Sequence, residues 1–124
     1  MTIEDFNLRE LDEVAEAWGR APGGELLSGY VQGTDDHTFL CVTKTGRDYR
    51  IEASWPISSQ EPGEAVGCDC PFPDRPHAYT RVVRESAREA AADVAGAIEA
   101  IPRGAALDFG DGAPRHWRPR ESFK

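Results

Sequence analysis

The sequence predicts an α+β domain with a first helix, a three-stranded antiparallel sheet with room for a short fourth strand, and a long second helix packed on the sheet. Apolar residues recur every three or four positions in two stretches, and they alternate with polar residues in the stretch between them. At 124 residues, of which 40% are hydrophobic, the chain is long enough to bury one core. We therefore predict a single domain in residues 1–112 and a basic tail in residues 113–124.

The first helix is predicted over residues 3–20. Its apolar stripe consists of Leu8, Leu11, Val14, Ala15 and Trp18. Thr2 with Asp5, or Asn7 with Glu10, can form the N-terminal cap. The acidic residues fall largely off the stripe, which is typical of a solvated outer face; the alternative is an acidic docking surface.

Three strands are predicted next. Tyr49–Trp55 alternates most clearly between apolar and polar residues, and Thr38–Lys44 is also strand-like. The short turn between these two stretches indicates an antiparallel hairpin. Leu26–Gln32 is the weakest candidate, because Gly29 interrupts it.

The second helix is predicted from about Arg75 or Ala78 to Ile101, on an apolar face at helical spacing. The proline-rich stretch 67–77 precedes it and is interpreted as a stiff elbow between sheet and helix. Leu107–Phe109 is the candidate for a short further strand.

The charge of the chain bears on its partners. The net charge is −8, and residues 1–64 carry 13 Asp and Glu against 5 Lys and Arg. Such an acidic surface repels nucleic-acid phosphates, so we expect no direct binding to DNA or RNA. There is no apolar stretch of the roughly 18 residues that a membrane span needs and no secretory signal, so we expect a cytoplasmic protein with reduced thiols and no membrane contact.

One stretch has the residue types of a metal site. Cys68, Cys70 and His77 offer three zinc ligands within ten residues. The candidates for a fourth ligand are Cys41, His37, Asp74 and His116. The alternative is that the cysteines are ordinary thiols beside a rigid Pro-Phe-Pro turn.

Part of this stretch is similar to the SWIM type of zinc domain, in which strands precede a Cys-x-Cys pair and a helix follows the final histidine. The similar part is Cys68-Asp69-Cys70-Pro71, followed by His77. Arg75-Pro76 stands where that pattern has a third cysteine. The likeness would imply zinc held by Cys68, Cys70 and His77.

Catalytic motifs are absent from the sequence: there is no nucleophile elbow, phosphate-binding glycine loop or zinc-protease helix. A dyad of Cys68 or Cys70 with His37 or His116 would need the fold to bring those residues together. We therefore predict that the protein is not an enzyme and assign no catalytic residue.

The tail offers a different kind of site. Residues 113–124 hold four Lys and Arg against one Glu. Trp117, Arg118 and Arg120 belong to the residue types that dominate protein interfaces, and we predict that they bind a partner. The alternative is that the tail folds back on the same molecule.

The predicted function is a small acidic protein-binding module, acting as an adaptor, accessory subunit or inhibitor. Two alternatives stay open. One is a zinc-stabilised module built on the Cys-x-Cys and histidine stretch. The other is an acidic mimic of nucleic acid that blocks a DNA- or RNA-binding protein.

Overall fold

The computed structural model describes residues 1–32, 37–56, 63–65, 77–103 and 117–119, with the backbone alone considered in 63–65 and 117–119. Its helices are α1 (Ile3–Asn7), α2 (Leu11–Arg20) and α3 (Ala87–Ala100), and a 3-10 turn over Ile101–Arg103 follows α3. Its strands are β1 (Gly24–Gln32), β2 (His37–Thr45), β3 (Asp48–Pro56), β4 (Gly63–Ala65), β5 (His77–Arg84) and β6 (Trp117–Pro119).

The main sheet is antiparallel with four strands in the order β1-β2-β3-β5. β4 and β6 form a separate antiparallel pair. The predicted α+β class is confirmed, although the main sheet has one strand more than the three predicted. Leu107–Phe109, the candidate for a further strand, lies outside the described residues.

One face of the main sheet forms the hydrophobic core with the helices. The strand residues on this inner face include Leu27, Leu40, Val42, Tyr49, Ile51 and Ala53. They pack with helix residues that include Phe6, Val14, Trp18, Ala90, Ala91 and Val94. The small side chains of Ala90 and Ala91 let α3 lie close to the sheet.

The predicted first helix is divided in two, and the placement of Leu8 on its apolar stripe was wrong. Leu8 follows α1 as its C-terminal cap, and it is 86% exposed. Phe6 is buried instead and packs on Trp18, with ring centroids 6.0 Å apart. The Thr2 hydroxyl accepts a hydrogen bond from the Asp5 amide at 3.1 Å, so that the first of the two predicted caps is confirmed.

The predicted start of the second helix was wrong, because residues 77–84 form strand β5. This stretch is rich in aromatic and β-branched residues, which favour strands. The spacing of its apolar residues fits the repeat of a helix as well as that of a strand, and pairing with β3 decides for the strand. In β5, Ala78 and Thr80 face inwards and are buried, while Arg81 is exposed. The helix begins at Ala87, nine residues after Ala78, and the Ser86 hydroxyl before it accepts a hydrogen bond from the Glu89 amide.

β1 is longer than predicted, and its glycine is required by packing. A Cβ atom on Gly29 would lie 2.8 Å from Cγ1 of Ile3. Glycine therefore lets α1 approach the inner face of β1 closely. Gly29, which made this stretch the weakest strand candidate, is thus the residue that allows α1 to pack on β1.

Lys44 fixes the C-terminus of α2 to the sheet. Its ammonium group donates to the carbonyl oxygens of Trp18, Gly19 and Ala21 at 3.0, 3.1 and 2.9 Å. It also lies 5.4 Å from the centre of the Tyr49 ring. A cation at this position complements the partial negative charge of a helix C-terminus.

Within the described residues, no helix has both the length and the apolar character needed to cross a membrane. The cytoplasmic location and the division into a domain and a tail stay predictions.

Candidate functional site

The outer face of the main sheet, opposite the core, carries a row of side chains across all four strands. The row consists of Tyr30, Phe39, Ser54 and Tyr79, which are register partners from β1 to β5. Ser54, which lies between Phe39 and Tyr79, is buried with 5% of its surface exposed. The two tyrosines at the ends of the row differ, since Tyr30 is 53% exposed and Tyr79 is half-buried.

Tyr30, His37 and Phe39 form what we call the aromatic cluster, at one end of the β1–β2 hairpin. The Tyr30 ring meets the Phe39 ring edge-on with centroids 5.2 Å apart, and the His37 ring edge-on at 6.3 Å. Phe39 is half-buried beneath this contact, while Tyr30 and His37 are exposed. An exposed tyrosine held by a second ring presents a large surface at low entropic cost, which is typical of interface anchors.

Towards β5 the outer face carries polar side chains that contact one another. The Glu52 carboxylate accepts from the Tyr79 hydroxyl at Oε2, and it lies 2.8 Å from Arg50 Nε at Oε1. Burial, followed by the hydrogen bond to Glu52, raises the pKa of Tyr79 well above its ordinary value. Tyr79 therefore stays neutral at physiological pH, and its hydroxyl donates a hydrogen bond from β5 to Glu52 of β3.

Cys41 lies on the outer face between these two groups. Its sulfur is 3.8 Å from the Thr43 hydroxyl. Burial raises the pKa of the Cys41 thiol, and the contact with Thr43 only opposes that effect. The raised pKa lowers the fraction of thiolate at neutral pH, which disfavours nucleophilic attack by Cys41.

Of the three predicted zinc ligands, the structure describes only His77. This residue opens β5 and is fully buried, with Pro56 as its register partner. Cys68 and Cys70 lie outside the described residues, as do Asp74 and His116. The helix that the SWIM-like pattern places after its histidine is absent here, because β5 begins at His77.

The other candidates for the fourth ligand are separated along β2. His37 and Cys41 are four strand residues apart, or roughly 13 Å at about 3.3 Å per residue. Among the described residues, no group of three or more His, Cys, Asp or Glu side chains could hold a metal ion.

The predicted partner-binding residues in the tail are described only in part. Trp117 and Arg118 lie in β6, opposite Ala65 and Glu64 of β4 in the backbone register. Arg120 lies outside the described residues. Their role in binding stays a prediction.

The helices carry an acidic surface, as the charge distribution predicted. Glu4, Asp5, Glu10, Asp12, Glu13 and Glu16 are all exposed. Glu16 forms an ion pair with Arg20, and Asp12 lies 2.9 Å from Arg88 of α3. This surface thus remains strongly acidic after its own ion pairs are counted.

Sequence reasoning missed the aromatic cluster. The signal was present, since Tyr30 and Phe39 each fall on the polar side of an alternating stretch. Only the strand register brings them together, however, and register is not visible in either stretch alone.

No protein-family model, curated protein or solved structure matches this chain significantly.

Proposed function

We propose that this protein is a protein-binding module that uses the outer face of its sheet, with the aromatic cluster as the anchor. The observation that supports this function most strongly is the exposure of Tyr30, 53% of whose surface is accessible while its ring packs on Phe39 and His37. Tyrosine and arginine are enriched at interfaces, and the same face carries exposed Arg50 and Arg81. The role would be that of an adaptor, accessory subunit or inhibitor. Trp117, Arg118 and Arg120 are proposed as a second contact on the same partner.

The chain offers a matched pair of residues to test this function. Tyr30 and Val83 lie on the two terminal strands of the sheet, on the same face, with 53% and 52% of their surfaces exposed. We expect a partner captured from native host extract by the wild type and by Val83→Ser, but not by Tyr30→Ser. A partner retained equally by all three would contradict the role of the cluster. Triple replacement of Trp117, Arg118 and Arg120 by alanine should weaken the same capture if the tail contributes.

A second candidate, the zinc-stabilised module, is favoured by the burial of His77. A fully buried imidazole next to a Cys-x-Cys stretch suits a ligand whose other side is enclosed by protein. Protein purified without chelator should then contain about one zinc per chain. The Cys68→Ser, Cys70→Ser double variant should lose it, whereas Cys41→Ser should keep it. Absence of zinc, with a melting temperature unchanged by EDTA, would exclude this candidate.

The acidic mimic of nucleic acid is distinguished by the same capture. A partner released by saturating DNA or RNA would support mimicry. A partner that stays bound in its presence would contradict it.

A further inference from the structure

From Leu27 to Gln32, β1 lacks the features with which edge strands usually block pairing with another chain. Natural proteins protect sheet edges with charged residues, proline or bulges. The only irregularity in the pairing of β1 with β2 lies between Glu25 and Leu27, at the start of the strand. From Leu27 to Gln32 the register is regular, and these six residues include no charged residue and no proline. This half of the strand is a template for a further strand of about six residues.

The edge is exposed on its outer face, whereas its inner-face residues Leu27 and Val31 are buried. Tyr30 and Gln32 are exposed on the outer face. In the described part of the chain, β2 is the only strand that pairs with β1. A strand added about 4.8 Å beyond β1 would place its outer-face side chains directly beside Tyr30.

Charge indicates which chemistry would bind there. β1 contains Glu25 and no cationic residue. α1, which contacts β1 through Ile3 and Gly29, carries exposed Glu4 and Asp5 and no cationic residue. Lys44, opposite Gly24 at the start of the edge, is occupied by three carbonyl groups of the α2 C-terminus. Arg103, in the 3-10 turn that also contacts β1, is paired with Glu99. The acidic residues beside the β1 edge therefore favour a positively charged segment.

The opposite edge has the reverse character. β5 contains Arg81 and Arg84 and no acidic residue. Arg84 is held by Asp93 of α3 through a 2.7 Å hydrogen bond from its Nε. Cationic residues along an edge discourage strand addition, so that β5 carries the protection that β1 lacks.

We propose that the edge of β1 from Leu27 to Gln32 binds an extended, positively charged segment of a partner protein as an additional strand of the sheet. Backbone hydrogen bonds along the edge supply the affinity, and the acidic residues of β1 and α1 select the basic segment. A cationic side chain of the segment stacks on the Tyr30 ring. This inference rests on the proposed function, whose outer-face anchor Tyr30 borders the same edge.

The probe that tests strand addition is a capped seven-residue peptide of alternating arginine and valine. We expect it to shift the backbone amide resonances of Leu27–Gln32 in two-dimensional NMR, with binding that weakens as salt rises. The same peptide N-methylated at its central amides keeps its side chains and loses its hydrogen-bond donors, and we expect it to bind at least about tenfold more weakly. A peptide with glutamate in place of arginine should not bind.

Matched variants locate the binding on one edge. Tyr30→Lys adds to β1 the kind of charge that β5 already has, and it should weaken peptide binding by about tenfold or more. Val83→Lys makes the same change at equal exposure on β5 and should leave the affinity within about twofold of the wild type. Circular dichroism spectra and melting temperatures of both variants confirm that they are folded before the comparison.

Three results would overturn the proposal. The first is no binding by the arginine–valine peptide, and the second is equal binding by its N-methylated form. The third is self-association of the chain that Tyr30→Lys and Val83→Lys abolish equally, since β1 would then pair with β5 of a second copy. If the peptide does not bind but Tyr30→Ser still loses the native partner, strand addition is wrong and the protein-binding function stands. If the peptide does not bind and Tyr30→Ser keeps the native partner, both strand addition and the proposed role of the aromatic cluster are wrong.

Discussion

The two edges of the main sheet each end the same row of side chains with a tyrosine, but Tyr30 on β1 is 53% exposed and Tyr79 on β5 is half-buried. On β1, Tyr30 projects from a stretch without charge and packs only partly against its neighbours. On β5, Tyr79 donates its hydroxyl proton to Glu52, and the strand carries two arginines. The comparison teaches that the function of a sheet edge depends on the charges that it carries and on how much of each side chain it leaves exposed. On β5, Tyr79 is hydrogen-bonded to Glu52 and the strand is cationic, whereas on β1 Tyr30 is exposed on an uncharged stretch.

The largest expected loss of stability comes from a substitution in the core beneath the main sheet, on which both edges depend. Ile51 in β3 is fully buried in the core. Ile51→Ala should lower the free energy of unfolding by about 2–5 kcal/mol, because it removes buried methyl groups and leaves a cavity. Urea denaturation measures the loss. Hydrogen exchange should show both edges losing protection together; a loss confined to one edge would mean that the edges unfold independently.

A smaller effect is expected from Gly29→Val, which affects β1 alone. The new Cβ would meet Cγ1 of Ile3 at 2.8 Å, so that the Ile3 side chain or α1 itself must shift away from the strand. We expect a loss of about 1–3 kcal/mol of unfolding free energy, as for overpacking elsewhere. The double variant with Ile3→Ala should recover part of it. Additive losses in the double-mutant cycle would show that the two residues do not oppose each other.

Tyr79→Phe tests how much the hydrogen bond from Tyr79 to Glu52 stabilises the β5 edge. At pH 7 it should cost about 1 kcal/mol, since Glu52 loses a donor. The pKa of Tyr79 is raised in the folded state, so its neutral phenol contributes stability that is complete below about pH 10 and is lost as pH rises towards the folded-state pKa. The difference in unfolding free energy between wild type and variant should therefore narrow above about pH 10. A difference constant from pH 7 to pH 11 would contradict a pKa raised by folding.

The smallest effect is expected from Asp93→Asn, which removes the carboxylate that holds Arg84 at 2.7 Å. Both side chains are partly exposed, so the melting temperature should fall only slightly. The fall should disappear in 1 M salt, at which the Debye length is about 3 Å. A large, salt-independent loss would instead assign Arg84 a packing role at the β5 edge.

The sequence predicted the class of the fold and its hairpin, because alternation in Tyr49–Trp55 has one interpretation. It did not predict β5, since the spacing of Tyr79, Val82 and Val83 fits a helix as well as a strand, and only the partner strand decides. It ranked β1 as the weakest strand, because Gly29 is required by its contact with Ile3, which lies 26 positions away in the chain. The aromatic cluster was missed for the same reason: it depends on the pairing of two strands. The metal and tail residues were selected on residue type, which fixes chemistry but not position.

The register of β3 with β5 has a consequence for how the chain can be rebuilt. Pro56 and His77 are partners, so that residues 57–76 leave and re-enter the sheet at adjacent points. A segment joined in this way can be exchanged as a cassette, since a short turn can close the same gap between antiparallel strands. Replacing residues 57–76 by an Asn-Gly turn removes β4, the partner of β6, and Cys68 and Cys70, and it should leave the four-stranded main sheet folded. Grafting other loops between the same two anchors would turn this domain into a scaffold for display.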